Sequence, residues 1–291
     1  MLSILIPVKD YDCHTLIEEL HRQGEACGFP YEIIVGEDGT SQGNLGFNMV
    51  AEILPNCRRV IRKENIGRAN IRNLLALEAV QPYIVFIDCD AVIEKGDFLA
   101  SYATALKGHD VVCGGLYHAE NIPDKHCELR FRYEKKADRR RDAVTRNRAP
   151  FAEFTTFNFA IKRELFLSIF FNSSISRYGY EDVLFGKELE RRGASIVHID
   201  NRLLHNGIES NDVFLAKVEQ SLVTLASIRG LIGETPLLRA VNKLESFYLK
   251  GLFMFMWRLF SRAMRHNLLG SRPSLFLLNV YKLGYYMNIG K

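Results

Sequence analysis

The sequence predicts an α/β domain with a mostly parallel sheet flanked by helices, followed by a helical C-terminal appendage. Three observations carry this. Through the first half, short runs of continuous apolar residues alternate with stretches of helical periodicity. Such runs suit strands buried on both faces, and their alternation with helices is how parallel pairs are built. Beyond Asn211 the pattern is helical throughout, with no internal repeat and no low-complexity linker. We therefore expect an α/β domain over residues 1–210 and a helical region over 211–291.

The elements follow in order. Residues 3–8 form a short apolar strand that ends in polar residues after Pro7. Leu16, Ile17 and Leu20 give 14–23 a helical face, and 32–36 (Glu-Ile-Ile-Val-Gly) is a second strand. Residues 57–61 make a third strand. Ile71, Leu74, Leu75 and Leu77 mark a helix over 69–79. Tyr-Ile-Val-Phe-Ile at 83–87 is the clearest strand, and 110–113 is another. The stretch 128–148 is dense in arginine and lysine and reads as a helix or an excursion over a site. Residues 151–161 read as a strand pair and 163–169 as a helix. Residues 181–192 form a helix closed by Gly193, and 195–199 a strand.

Composition narrows the function classes. The chain has 291 residues, 47% hydrophobic, enough for a full core, and its formal charge of +4 is too small to indicate nucleic acid. Six cysteines lie at 13, 27, 57, 89, 113 and 127 with no C-x-x-C pair, so we expect reduced thiols in a cytoplasmic protein. The first residues already read as a strand, not a secretory leader. No apolar run approaches the ~18–20 residues of a membrane span. There is no G-x-G-x-x-G after the first strand, no Walker loop and no G-x-S-x-G, which argues against dinucleotide enzymes, P-loop enzymes and serine hydrolases.

Ligands of parallel sheets bind at the carboxyl ends of the strands, so the polar residues there are the candidates. Asp88-Cys89-Asp90 follows the 83–87 strand directly. Two carboxylates at that place suit magnesium or manganese bridged to a diphosphate; the same pair also suits a turn. Glu37-Asp38-Gly39-Thr40 follows the second strand, where it either caps a turn or meets a ribose or base edge. Asn65, Gly67 and Arg72 open the next helix, as turn residues and a surface charge or as an anion-facing set. Glu181 and Asp182 begin a helix, where carboxylates complement the dipole; after Gly179, the pair is also placed to present a general base in a cleft. His205 is either structural or a further metal ligand.

In series, these pieces resemble the family 2 glycosyltransferases of the GT-A fold, over residues 2–207. Ser3-Ile4-Leu5-Ile6-Pro7 resembles that family's opening strand, and residues 32–41 its E-I-I-V-V-D-D-G-S-T segment. Asn65-x-Gly67 with Arg72-Asn73 is similar to its N-x-G-x-x-x-A-R-N stretch, with Ile71 in place of the usual alanine. Asp88-Cys89-Asp90 resembles its D-x-D, Asn158 through Phe166 its N-x-A-I-K-R-x-x-F, and Tyr180-Glu181-Asp182 its E-D element. The resemblance implies an inverting, metal-dependent transfer of a sugar from a nucleotide diphosphate, with UDP-sugars favoured. The acceptor would be a saccharide or a lipid-linked molecule, in polysaccharide or glycolipid synthesis. It further implies donor contacts from Pro7, Asp38, Asn65, Gly67, Arg72 and Asp88, with Asp38 at the base because Glu37 replaces the usual first aspartate. Asp90 and His205 would hold manganese or magnesium, and Asp182 would act as base with Glu181 orienting the acceptor.

Between 241 and 291 there are eight basic residues and one acid, Glu245, with aromatics interleaved. Basic helices with aromatic faces suit an anionic membrane surface, so the chain is expected in the cytoplasm, peripheral to a membrane; the alternative is a helical appendage that packs internally or in an oligomer. Two other classes compete for the whole chain. A sugar nucleotidyltransferase would carry a glycine-rich loop after strand one, which Pro7-Val8-Lys9-Asp10-Tyr11 lacks. A non-catalytic assembly subunit would not need Asp88, Asp90 and Asp182.

Overall fold

Among the described residues ten strands form: β1 (Leu2–Val8), β2 (Tyr31–Asp38), β3 (Cys57–Arg62), β4 (Tyr83–Ile87), β5 (Ala91–Val92), β6 (Val111–Cys113), β7 (Leu116–His118), β8 (Asn158–Lys162), β9 (Ile196–His198) and β10 (Leu203–His205). The structure is a computed structural model that describes residues 1–122, 124–138, 141–173 and 178–289. Seven strands make one sheet in the order β3-β2-β1-β4-β8-β6-β9. Only β8 runs against its neighbours; the remaining pairs in this sheet are parallel. The fold class read from the sequence is the one observed.

The side-chain alternation of strands builds a core on each face of the sheet. Leu2, Ile4, Ile6 and Val8 of β1, with Val85 and Ile87 of β4, pack on Leu16, Ile17 and Leu20 of the His14–Ala26 helix. Leu5, Ile84 and Phe86 face the other way, onto Ile71 and Leu75 of the Arg68–Glu78 helix and Phe185 and Leu189 of the Glu181–Arg191 helix. Each fully buried aliphatic side chain stabilises the fold by about 1.5–3 kcal/mol. Pro7 fits a central strand because the β1–β4 ladder ends at Leu5 opposite Phe86, so no donor is missed there.

The second sheet is small, in the order β5-β10-β7. None of its strands exceeds three residues, too short to show periodicity in sequence. Its register places His205 opposite both Ala91 and His118. The expected strand pair at 151–161 is corrected: Phe151–Glu153 is a turn and only β8 is extended. Asn158, wholly buried, explains the difference. Its side-chain amide donates to Gly115 O and Asn201 O and accepts from Tyr102 Oη, so it ties loops together as β8 begins.

The chain divides into two compact units. The first holds both sheets and comprises the described residues of Met1–Ala119, Asp138–Ser176 and Glu181–Gly207. The second comprises the described residues of Glu120–Ala137, Arg177–Tyr180 and Ile208–Lys291. Its long helices are Asn211–Ser227, Pro236–Ser246, Lys250–Leu269 and Leu275–Asn288. Thr235 and Ser274 cap two of them by accepting from Leu238 N and Leu277 N. Leu129, Phe214, Leu215, Leu268, Leu278 and Tyr281 form this unit's core.

Candidate active site

The carboxyl ends of the parallel strands β1, β2 and β4 carry Pro7, Asp38 and Asp88. Asp88 starts a tight turn in which its own N–H donates to Phe157 O and its carbonyl accepts from Ala91 N. The turn leaves Asp88 and Asp90 partly exposed on a strand end that is otherwise buried. Cys89 between them keeps its proton: burial, then the flanking Asp90 and Asp88, push its thiol up to about 12. All six cysteines are free.

Two arginines reach Asp88. Arg72 is 2% exposed and pairs with one carboxylate oxygen, while also donating to Arg68 O. Its Nε is buried with no hydrogen-bond partner among the described residues. Arg68 donates to the other oxygen at 3.2 Å and lies 3.2 Å from Glu181 Oε1. It thereby joins the first turn of the Glu181–Arg191 helix to the end of β4. The family pattern puts the donor-side charge at Arg72. In the fold Arg72 is a buried brace, and the half-exposed Arg68 is the arginine that spans the carboxylates.

Asp182 lies beside Glu181 and donates nothing; its carboxylate accepts from Val183 N at 2.8 Å. Burial first, and the Glu181 charge second, raise its pKa to about 6, with Arg68 opposing in part. Glu181 Oε2 is buried without a partner among the described residues, so this carboxylate has an unused acceptor. Gly179 at φ +101 and Tyr180 at φ +68 make the turn that introduces this helix.

Asp90 is held on the other side. Its Oδ2 is 3.0 Å from His205 Nε2, and its carbonyl accepts from Asn206 N. Burial raises the Asp90 pKa, but His205 and then Arg68 outweigh it and leave the net direction downward. Gly207 is needed beside it, since a Cβ there would meet Asp90 Oδ2 at 2.3 Å. No group of three or more His, Cys, Asp or Glu side chains among the described residues is placed to hold a metal. Asp90 Oδ2 and His205 Nε2 are two converging donors, which fits a hard divalent ion completed by phosphate oxygens and water.

Asp38 is placed differently from a simple base contact. It is 4% exposed, and its carboxylate accepts from Ile66 N at 2.7 Å, Gly67 N at 3.0 Å and Asn65 Nδ2 at 3.1 Å. It therefore anchors the loop that opens the Arg68–Glu78 helix, with Gly67 at its N-cap. Of a carboxylate's roughly four lone-pair positions, about one remains. Glu37 is wholly buried and accepts from Thr40 Oγ1 and Asn48 Nδ2.

The basic stretch 128–148 is largely tied into protein contacts. Arg130 pairs with Glu134, Arg132 with Glu128 and Lys135 with Glu120. Arg146 is 3% exposed and donates to Cys113 O, Gly114 O and Ile199 O. Arg139 and Arg140 lie outside the described residues, as does Lys291.

Comparisons with known proteins agree with this architecture. Staphylococcus aureus TarS 1–349, solved with UDP, is 17% identical, with a TM-score of 0.52 over 76% of this chain and 64% of that one. The chain thus spans less than two thirds of that protein's length. The mannosyltransferase PcManGT from Pyrobaculum calidifontis, solved with GDP-Man and Mn2+, is 16% identical, with a TM-score of 0.57 over 98% of this chain and 84% of that one. Glucosyl-3-phosphoglycerate synthase from Mycobacterium tuberculosis, solved with Mn2+, UDP and phosphoglyceric acid, is 17% identical, with a TM-score of 0.54 over 81% of this chain and 80% of that one. These likenesses show the GT-A fold. No curated protein matches the chain. The family model described as glycosyl transferase family 2 matches residues 3–182, more than half of the sequence, and the chain belongs to that family.

Proposed function

We propose that this chain is an inverting glycosyltransferase that moves a sugar from a nucleotide diphosphate to an acceptor hydroxyl, with a uridine nucleotide favoured. One observation carries the reading: Arg68 bridges Asp88 and Glu181, so the donor-side and acceptor-side carboxylates of the family pattern share one cluster. The nucleotide and Mn2+ in the similar structures support it.

Asp88, braced by Arg72, faces the ribose; Asn65 and Gly67 line the donor loop that Asp38 anchors. The last free acceptor position of Asp38, together with Pro7, meets the nucleobase. Asp90 and His205 would hold the divalent ion, manganese or magnesium, which when bound would supply charge neutralisation for the diphosphate. Asp182 takes the proton from the acceptor hydroxyl, whose oxygen forms the new bond to the anomeric carbon. The bond from that carbon to the diphosphate breaks, and the diphosphate leaves with the electron pair. Glu181 orients the acceptor through its unused oxygen, and Arg68 balances the carboxylate charge.

The six free thiols support a cytoplasmic setting. The cationic, aromatic segment 241–291 supports a peripheral place on an anionic membrane, where a lipid-linked acceptor of polysaccharide or glycolipid synthesis resides.

The test is thermal shift with UDP- and GDP-sugars, with and without Mn2+. Wild type should be stabilised by one donor in a metal-dependent way, by about 2.7 kcal/mol at 100-fold excess over Kd, and Asp90→Ala should lose the metal dependence. An unshifted melting curve with every donor would sink the reading in favour of the non-catalytic scaffold.

A further inference from the structure

We propose that His118 and Asp138 are positioning residues that hold His205 in the ring state able to ligate a cation through Nε2. The inference rests on the reading of Asp90 and His205 as the metal-holding pair, and it extends that pair by two residues that the sequence did not single out.

Four side chains form one line. Asp138 faces His118 Nδ1 at 3.0 and 3.2 Å and also accepts from His118 N at 3.1 Å. His118 Nε2 is 3.2 Å from His205 Nδ1, and His205 Nε2 is 3.0 Å from Asp90 Oδ2. An ionised carboxylate only accepts, so Asp138 keeps a proton on His118 Nδ1. A cation at His205 Nε2 requires a lone pair there, which leaves the proton of His205 on Nδ1. That N–H needs an acceptor, and His118 Nε2 is one because the His118 proton sits on the opposite nitrogen. With a cation at His205 Nε2, neutral rings satisfy the Asp138–His118 and His118–His205 contacts in one pattern only, and both ring N–H groups point away from the ion.

Water does not substitute for a lost partner here. His118 is 2% exposed and His205 9%. The rings meet edge to face at 81°, with centroids 5.1 Å apart. Backbone pairing sets the alignment: β7 and β10 run parallel with His118 opposite His205, while β5 puts Ala91, the neighbour of Asp90, opposite His205 as well. Partners of this kind orient a ligating imidazole and raise its basicity, and losing one commonly lowers metal affinity about 10–100-fold.

The experiment titrates Mn2+ into the full chain by electron paramagnetic resonance, with UDP or GDP present, whichever stabilises wild type. His118→Leu keeps bulk and removes the acceptor; His118→Gln restores one through its side-chain carbonyl; Asp138→Asn weakens the far end. We expect His118→Leu to weaken Mn2+ binding about 10–100-fold, Asp138→Asn to weaken it roughly tenfold, and His118→Gln to recover most of the loss. Metal-free nucleotide binding should stay unchanged in all three, which separates positioning from general damage. If His118→Leu does not fold, Asp138→Asn carries the test. Wild-type Mn2+ affinity in both His118→Leu and Asp138→Asn, with Asp90→Ala impaired, overturns the relay and leaves the metal pair standing. Equal loss in His118→Leu and His118→Gln also overturns it, because packing and not the acceptor would then matter. No Mn2+ binding by wild type overturns the metal pair and the relay together.

Discussion

Asp182 combines burial with a like charge next to it, and both raise its pKa to about 6. A base must be ionised to act, so kcat/KM should fall about tenfold per pH unit below about pH 6 and level off above it. Asp182→Asn should lower kcat by roughly 10²–10⁴ and abolish that limb of the pH–rate profile. Stability runs the opposite way. The folded pKa lies above the unfolded one, so the folded state binds more protons between about pH 4 and 6 and loses stability as pH rises through that window. Asp182→Asn should therefore melt higher than wild type at pH 7, by at most about 3 kcal/mol, with the difference closing near pH 4. A variant that melts lower at pH 7 would show that ionised Asp182 is held by a partner and not strained by its surroundings. At this scale the carboxylates were legible because they stand at fixed places in a family pattern. Arg68 was not, because a side chain's reach across 113 residues to Glu181 is invisible in its neighbours.

Short loops set the site at the scale of elements. Gly39, at φ +69, ends β2, and a Cβ there would meet Asn65 N at 2.5 Å. That close approach lets the Asp38 carboxylate take the N–H groups of Ile66 and Gly67 at the entry to the Arg68–Glu78 helix, where the helix dipole favours a negative charge. Gly39→Ala should destabilise the chain by about 1–3 kcal/mol from backbone strain alone, read as a lower melting temperature, and should weaken donor binding in parallel. An unchanged donor Kd would separate this loop from the nucleotide. The long elements were readable because their periodicity repeats several times. The β5-β10-β7 sheet was not, since two or three residues carry no period, and β8 was overdrawn because the aromatic residues of 151–157 serve the core from turns.

Across the whole molecule, each unit has its own core, and the second carries an exposed apolar helix face. Along the Lys250–Leu269 helix, Leu252, Phe255 and Leu259 are each more than 60% exposed, at helical spacing, with Met256 and Phe260 beside them. Residues 246–289 contain six cations and no acid. Apolar surface of this extent marks an interaction site, and the excess of cations in this segment, two of them paired with Glu219 and Glu245, suits the anionic lipid surface proposed above. No helix among the described residues is long and apolar enough to cross a membrane. The chain should co-sediment with vesicles containing phosphatidylglycerol, and the bound fraction should fall with salt. Phe255→Ser with Leu259→Ser should release it with sugar-nucleotide binding intact. Binding that is indifferent to lipid charge, or none at all, would reassign this face to a protein partner.

The sequence by itself determined the fold class, the strand ends where chemistry sits and the identities of Asp88, Asp90, Glu181 and Asp182 as candidates, because hydrophobic periodicity and ordered motifs are local properties of the chain. Only the tertiary structure decided what those residues face. It placed Asp38 on a backbone loop, Arg72 in a buried brace, Arg68 among the carboxylates and His118 behind His205. Those assignments depend on distances between residues far apart in sequence, and burial and charge act through such distances.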